Sequence, residues 1–321
     1  MSLYPPPQTM TAEVWTALPD RFRIRDTSPA WAAANKPGRQ VDSFLEGPSF
    51  DRAGNLWVTD IPYGRIFRIS PEADWTLVAE YDGWPNGLKI DREGRVLIAD
   101  YKHGILELDP GTGTVTPLVT HRHSEHFRGC NDLVLDGAGR LYFTDQGQSG
   151  LHMPNGRVYR YDLAADRLDL LLDTGPSPNG LVLDHGGEAL LVAMTRANAV
   201  WRLPFMADGT VSKAGLFVQI SGGLSGPDGL ALDVDWDAWT VPPAERAAAS
   251  IALVLVLPTL PVIAAICALL RARDARPSAT SPSSTSSTTT SDPVTWPSAA
   301  SLASEITAVL APAASAIDTK L

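Results

Sequence analysis

Five residues with oxygen-bearing side chains fill the same slot of a stretch that recurs along the chain: Glu46, Asn86, Asn131, Asn179 and Asp228. Two carboxylates and three amides converging at one level are the donor set of a hard divalent cation. Calcium is expected first, with magnesium, manganese or zinc as alternatives, because no cysteine or histidine cluster accompanies them to build a softer site. A plainer reading competes with this one. Asn-Gly and Asp-Gly pairs are ordinary turn residues that tolerate positive φ. Glu46 tilts the balance, since glutamate is a poor turn former yet holds the same slot, whereas Asn86 is assigned to a turn.

Other chemistry-bearing residues read as structural. His121, His123 and His126 lie close together in THRHSEHFRG, a segment expected to be an exposed connection. Asp60, Asp100 and Asp145 each end the same run of the repeat, a regularity that suggests turns or caps, with Asp145 opening a long loop toward substrate. Cys130 has no basic or histidine partner in a defined motif and is not expected to act as a nucleophile.

The elements that must position these residues are repeats of about 40–50 residues. Four copies are full: EGPSFDRAGNLWVTD, NGLKIDREGRVLIAD, NDLVLDGAGRLYFTD and NGLVLDHGGEALLVA. The fifth, DGLALDVD, breaks off. Two apolar runs flank an Asp/Gly turn in each full copy, which predicts a β-hairpin. A third strand is expected in GRIFRIS, GILELDP, GRVYRYD and NAVWRLP, and a fourth in TLVAEY, VTPLVT, LDLLLD and GLFVQI. Four short antiparallel strands per repeat are the signature of a β-propeller blade, and innermost strands of successive blades bring equivalent residues to one axis. The expected fold is therefore all-β, a propeller of the six-bladed type that is incomplete here, with about four blades and the start of a fifth. The segment TAEVWTAL is expected to add an N-terminal strand.

The stretches around Leu45-Glu46-Gly47-Pro48, Asn131-Asp132-Leu133, Pro178-Asn179-Gly180-Leu181 and Pro227-Asp228-Gly229-Leu230 resemble the markers of the gluconolactonase, or senescence-marker-protein/regucalcin-like, family. The resemblance covers residues 12–233. It implies a divalent metal held by Glu46, Asn179 and Asp228 and a lactone substrate contacted by Asn131 and Arg128. The match of Arg128 is the looser one, because its spacing from Asn131 differs from the family's. Lactone hydrolysis would follow from a polarised carbonyl and an activated water, with Asp228 also taking the water's proton. The loop TDQGQSGLHMPNGRVYR would overhang the channel mouth. The alternative is a non-catalytic metal- or partner-binding propeller, or an inactive truncated member of the family.

Acidic residues outnumber basic ones by 36 to 26, for a net charge of -10, which argues against a nucleic-acid partner. Two cysteines do not make a disulfide framework. The first residues lack a basic region followed by an apolar core, so a cytoplasmic location is expected, a membrane-tethered one being the alternative. Residues 1–11 read as a disordered terminus and 234–249 as a linker. Residues 250–270, SIALVLVLPTLPVIAAICALL, are long and apolar enough for a transmembrane helix, which is not the favoured reading. Residues 271–321 are rich in Ser, Thr and Pro and read as mostly disordered. Past Asp233 the repeat is lost, the pattern expected of a truncated or misread family member.

Overall fold

The computed structural model of the chain describes residues 14–25, 28–220 and 226–232. A short helix α1 (Ala30–Asn35) precedes four antiparallel sheets, each of four strands in sequential order. Blade 1 holds β1 (Leu45–Phe50), β2 (Leu56–Asp60), β3 (Arg65–Ile69) and β4 (Trp75–Glu80). Blade 2 holds β5 (Pro85–Ile90), β6 (Val96–Asp100), β7 (Gly104–Asp109) and β8 (Thr114–Val119). A two-stranded ribbon, β9 (His121–Arg122) and β10 (Glu125–His126), leads into blade 3. That blade holds β11 (Cys130–Leu135), β12 (Arg140–Asp145), β13 (Gly156–Asp162) and β14 (Arg167–Gly175). Blade 4 holds β15 (Pro178–Leu183), β16 (Ala189–Met194), β17 (Ala199–Pro204) and β18 (Gly215–Gln219). The all-β, propeller-like architecture of four blades is as the repeat predicts.

Local chemistry explains the hairpins. Asp51, Asp91, Asp136 and Asp184 each accept a backbone N–H from the far side of their own turn, at 2.8–2.9 Å. The glycine three residues on adopts positive φ each time, from 65° to 87°, which a side chain would resist.

The core lies between the blades. In β6, Leu97 and Ala99 face blade 3 while Val96 and Ile98 face blade 1. In β12, Leu141 and Phe143 pack toward blade 2, and Tyr142 packs toward blade 4. Alternate side chains thus enter opposite interfaces, and both are apolar, so these strands read as unbroken hydrophobic runs. Each large side chain so buried contributes about 1.5–3 kcal/mol.

Successive blades touch most closely along their innermost strands. A Cβ on Gly47 would lie 2.3 Å from the Asn86 carbonyl oxygen, one on Gly87 2.7 Å from Asp132 Cα, and one on Gly180 2.5 Å from the Asp228 carbonyl oxygen. Threonines stitch the same seams: Thr59 Oγ1 donates to Asn86 O at 2.7 Å, and Thr144 Oγ1 donates to Asn179 O at 2.9 Å. The Gly180 N–H donates to Asp228 O at 3.0 Å, so residues 226–232 lie against β15 where a further inner strand belongs.

Two expectations need correction. Residues 14–19 form no strand. Instead, Thr16 Oγ1 accepts the Trp75 indole N–H at 3.0 Å, and Phe22 packs 5.0 Å from Phe67, so this segment covers blade 1 through side chains. Asn86 lies inside β5 rather than in a turn. Its Gly neighbour is required by the close approach of blade 3, not by a turn. Residues 234–321, with the apolar stretch 250–270, lie outside the described residues; among those described, no helix is long and apolar enough to cross a membrane.

Candidate metal and substrate site

Every innermost strand carries a register shift at the recurrent slot: between Glu46 and Ser49, Pro85 and Leu88, Cys130 and Leu133, and Pro178 and Leu181. A bulge of this kind bends the strand and re-aims a side chain that regular pleating would turn into the blade interface. The slot is therefore irregular by construction in all four blades.

Glu46 and Asp228 come from opposite ends of the described chain and meet electrostatically. Burial pushes the Glu46 carboxyl up to about 8, with further increments from the charges of Asp228 and Asp132. Burial also pushes Asp228 up to about 6, with Asp132 adding to it, while a hydrogen bond from the Asn179 side chain acts the other way. The Lys36 ammonium, just past α1, favours ionisation of both carboxyls. Glu46, Asn179 and Asp228 are thus brought into one neighbourhood.

Among the described residues, no group of three His, Cys, Asp or Glu side chains is disposed to hold a metal ion. The trio differs from such a group because its third donor is an amide. Its fit to a cation rests on donor chemistry: two half-buried carboxylates whose proton affinity is raised first by loss of solvent and then by neighbouring negative charge, plus an amide carbonyl oxygen.

Asp132 is the acidic residue that the repeat hides. It occupies the position where Gly47, Gly87, Gly180 and Gly229 stand in the other copies. Its Oδ1 accepts the Leu133 N–H at 2.8 Å, and its carboxylate also takes the Leu181 N–H. It touches β5 as well, since a Cβ on Gly87 would lie 2.5 Å from its Oδ1. Burial raises its pKa despite the Lys89 charge. These bonds spend its oxygens on the backbone, so it acts on Glu46 and Asp228 through its charge. One carboxylate in a column of glycines was the signal that could have found it. Lys36 had no such signal, because only the tertiary path of α1 brings it near.

Asn131 is 8% exposed and donates from Nδ2 to Gln146 Oε1 at 3.1 Å. Arg128 lies at the entrance to the same strand, but its guanidinium is engaged: Nη2 pairs with Glu125 Oε1 at 2.9 Å, and Nη1 donates to Asn155 O at 3.3 Å. Glu125 also accepts both its contacts from Arg157 at 3.0 Å. The Arg128 and Gly129 N–H groups donate to Asp145 Oδ1 at 2.7 and 2.8 Å. Asp60 and Asp100 serve backbone N–H groups in the same way, which makes the aspartate that ends this run in the first three copies a cap. Cys130 is a buried free thiol, and burial raises its pKa well above the usual range, so it is not poised as a nucleophile. His121 and His126, both exposed, pair across the β9–β10 ribbon with their rings 5.7 Å apart, and His123 lies in the turn between.

Residues 44–250 match the model of the SMP-30/Gluconolactonase/LRE-like region family. The chain belongs to that family. It is 29% identical over 219 residues to a lactonase drp35 of Staphylococcus aureus, covering 65% of each chain. The corresponding protein of Staphylococcus epidermidis is 27% identical over 238 residues, 71% of this chain and 66% of the relative. The alignments therefore span just under two thirds of these relatives' lengths. In structure, a gluconolactonase from Xanthomonas campestris superposes with a TM-score of 0.53 at 21% identity, covering 65% of this chain and 77% of that one. A calcium-binding protein, regucalcin, from Agrobacterium tumefaciens gives 0.50 at 22%, covering 60% and 65%.

Proposed function

We propose that the chain is a hydrolase that opens lactone rings and depends on a divalent cation held by Glu46, Asn179 and Asp228. The observation that carries this reading is the pair of half-buried carboxyls that feel each other's charge, Glu46 raised to about 8 and Asp228 to about 6, with the Asn179 side chain hydrogen-bonded to Asp228. A cation bound there would polarise the lactone carbonyl and acidify water beside it. Glu46 gains most from that charge, because at neutral pH it otherwise holds its proton. Asp228 stays largely ionised at pH 7 yet is a better proton acceptor than an ordinary carboxylate, which suits the general base that takes the attacking water's proton. Asn131 would orient the ring. Arg128 would serve as a second contact after exchanging Glu125 for substrate. The relatives described as lactonases support the reaction class, and the calcium-binding neighbour makes calcium the first ion to try.

The deciding experiment is hydrolysis of glucono-δ-lactone and simple aliphatic lactones by the full chain with calcium, magnesium, manganese or zinc. Turnover that needs the cation and disappears in Asp228→Ala supports the reading. No turnover with any of them sinks it. Calorimetric cation binding without turnover would instead favour a non-catalytic cation-binding propeller, a reading that the partial coverage of the relatives keeps open.

A further inference from the structure

The aspartate that ends the second strand is buried in blades 1, 2 and 3, and its two oxygens are served differently in each. Asp60 Oδ1 accepts the Phe44 N–H at 2.7 Å, and Arg65 covers Oδ2 through Nε at 3.0 Å and through Nη2. Asp100 Oδ1 accepts the Lys102 and His103 N–H groups at 2.8 and 2.9 Å, and Tyr81 OH donates to Oδ2 at 2.8 Å. Asp145 Oδ1 holds the Arg128 and Gly129 N–H groups, but Oδ2 has no partner. Among the described residues it is the only sealed side-chain oxygen or nitrogen in that state. Blade 4 carries Met194 at the equivalent place and raises no such demand.

A partner of the right kind stands opposite. Arg157 faces Asp145 across β12 and β13, in the register by which Arg65 faces Asp60 across β2 and β3. The Arg65 guanidinium folds back onto its aspartate, and the Arg157 guanidinium does not. Its Nη2 reaches both Glu125 oxygens at 3.0 Å, and its Nη1 donates to Tyr159 OH at 3.3 Å. Glu125 is an exposed residue of the β9–β10 ribbon, and its Oε1 also takes Arg128 Nη2 at 2.9 Å. One exposed carboxylate thus holds two arginines, while the buried carboxylate opposite Arg157 goes without.

Two opposed costs govern this choice. A buried carboxylate oxygen without a donor has lost its hydration and gained nothing for it. Exposed ion pairs contribute little, because water competes for both charges. Burial raises the Asp145 carboxyl, and the Arg157 charge works against that from where it stands. A turn of Arg157 onto Asp145 would reproduce the Arg65–Asp60 pair in blade 3. Glu125 would then keep one contact, to Arg128, in an exposed setting.

We propose that Arg157 is a positioning residue with two places. On Glu125, it docks that carboxylate against Arg128 and withholds Arg128 from the substrate. On Asp145, it lets Glu125 swing away and leaves Arg128 free. The inference rests on the proposed lactonase reading, in which Arg128 contacts the substrate, and adds what decides its availability.

Three variants of the full chain test it, with saturating calcium and glucono-δ-lactone. Glu125→Gln weakens the clamp, so KM should fall about fivefold, with the change in KM rather than in kcat. Asp145→Asn keeps an oxygen for the Arg128 and Gly129 N–H groups but removes the second place of Arg157. Its KM should rise about fivefold without loss of stability in urea, since an unpartnered buried charge goes with the change. The double variant should match E125Q within about twofold, because an opened clamp no longer depends on where Arg157 goes. A D145N effect that persists in the E125Q background, or a KM in E125Q that stays or rises, would overturn the inference. Should the parent hydrolyse no lactone, the functional reading falls, and carbon-13 NMR of the Asp145 carboxyl, assigned with D145N, decides the exchange by itself. A lower titration in E125Q than in the parent supports it, and an unmoved one refutes it.

Discussion

Asp228 carries the most at the residue scale. It is raised to about 6 by burial first and by Asp132 second, and its own charge helps to raise Glu46. Asp228→Asn removes that charge while keeping the shape. The Glu46 titration, followed by NMR, should then move down from about 8, and lactone turnover should fall by at least ~10²-fold. A Glu46 titration that stays in place would show that the Asp228 charge does not reach it. Asp132 yields a different expectation. Asp132→Gly restores the residue found in the other copies but removes a carboxylate, so both remaining carboxyls should titrate lower. The Leu133 and Leu181 N–H groups lose their acceptor in the same change. A stability loss of about 1–3 kcal/mol in urea titration should accompany it.

At the scale of elements, the seams between innermost strands dominate. Gly180→Ala would drive a methyl to 2.5 Å from Asp228 O and 2.7 Å from Gly229 Cα, both backbone atoms that cannot step aside. Overpacking of this kind costs about 1–3 kcal/mol, and here it also displaces Asp228 from β15, so cation affinity should fall with stability. Gly137→Ala is the control: its nearest contact would be the mobile end of Arg92 at 3.8 Å, and its expected cost is within about 0.5 kcal/mol. A pair of urea titrations with calcium calorimetry checks both. Blade 1 offers a second seam. Arg65 and Asp60 are a buried ion pair, and Arg65 Nη1 also donates to Phe22 O at 2.6 Å, which pins the N-terminal segment. Arg65→Met leaves a buried carboxylate without its counter-charge and should cost about 3–5 kcal/mol, read from the same titration.

For the molecule as a whole, the raised carboxyls set a pH dependence. Between the ordinary carboxylate range and about 8, the folded chain binds more protons than the unfolded one at Glu46, and up to about 6 at Asp228. In the absence of a cation, the contribution of these two carboxyls to stability should therefore be full below pH 4 and be lost as pH rises through 6 and then 8, while carboxylates held low by hydrogen bonds, such as Asp51 and Asp136, act in the opposite sense as pH falls. A bound cation replaces those protons and reverses the trend, stabilising by mass action more strongly at pH 8 than at pH 5. Thermal melts at the two pH values, with and without calcium, test this. An equal shift in Tm at both would show that the cation does not bind at these carboxyls.

Much of this was legible in the residues. The Asp/Gly turns, the paired apolar runs and the recurring third and fourth segments specify blades because hairpin chemistry and strand alternation are local properties. The slot residues Glu46, Asn131, Asn179 and Asp228 were legible for the same reason, as one position of a repeat. Their meaning was not. Whether Asn-Gly marks a turn or a strand depends on what lies across it, and in blades 2 and 4 the glycine answers to a neighbouring blade's backbone. Asp132, Lys36 and Gln146 belong to the site because three blades and a helix end meet there. Contacts between residues far apart in the chain leave no periodic trace, so only the tertiary structure decided which side chains meet at the site.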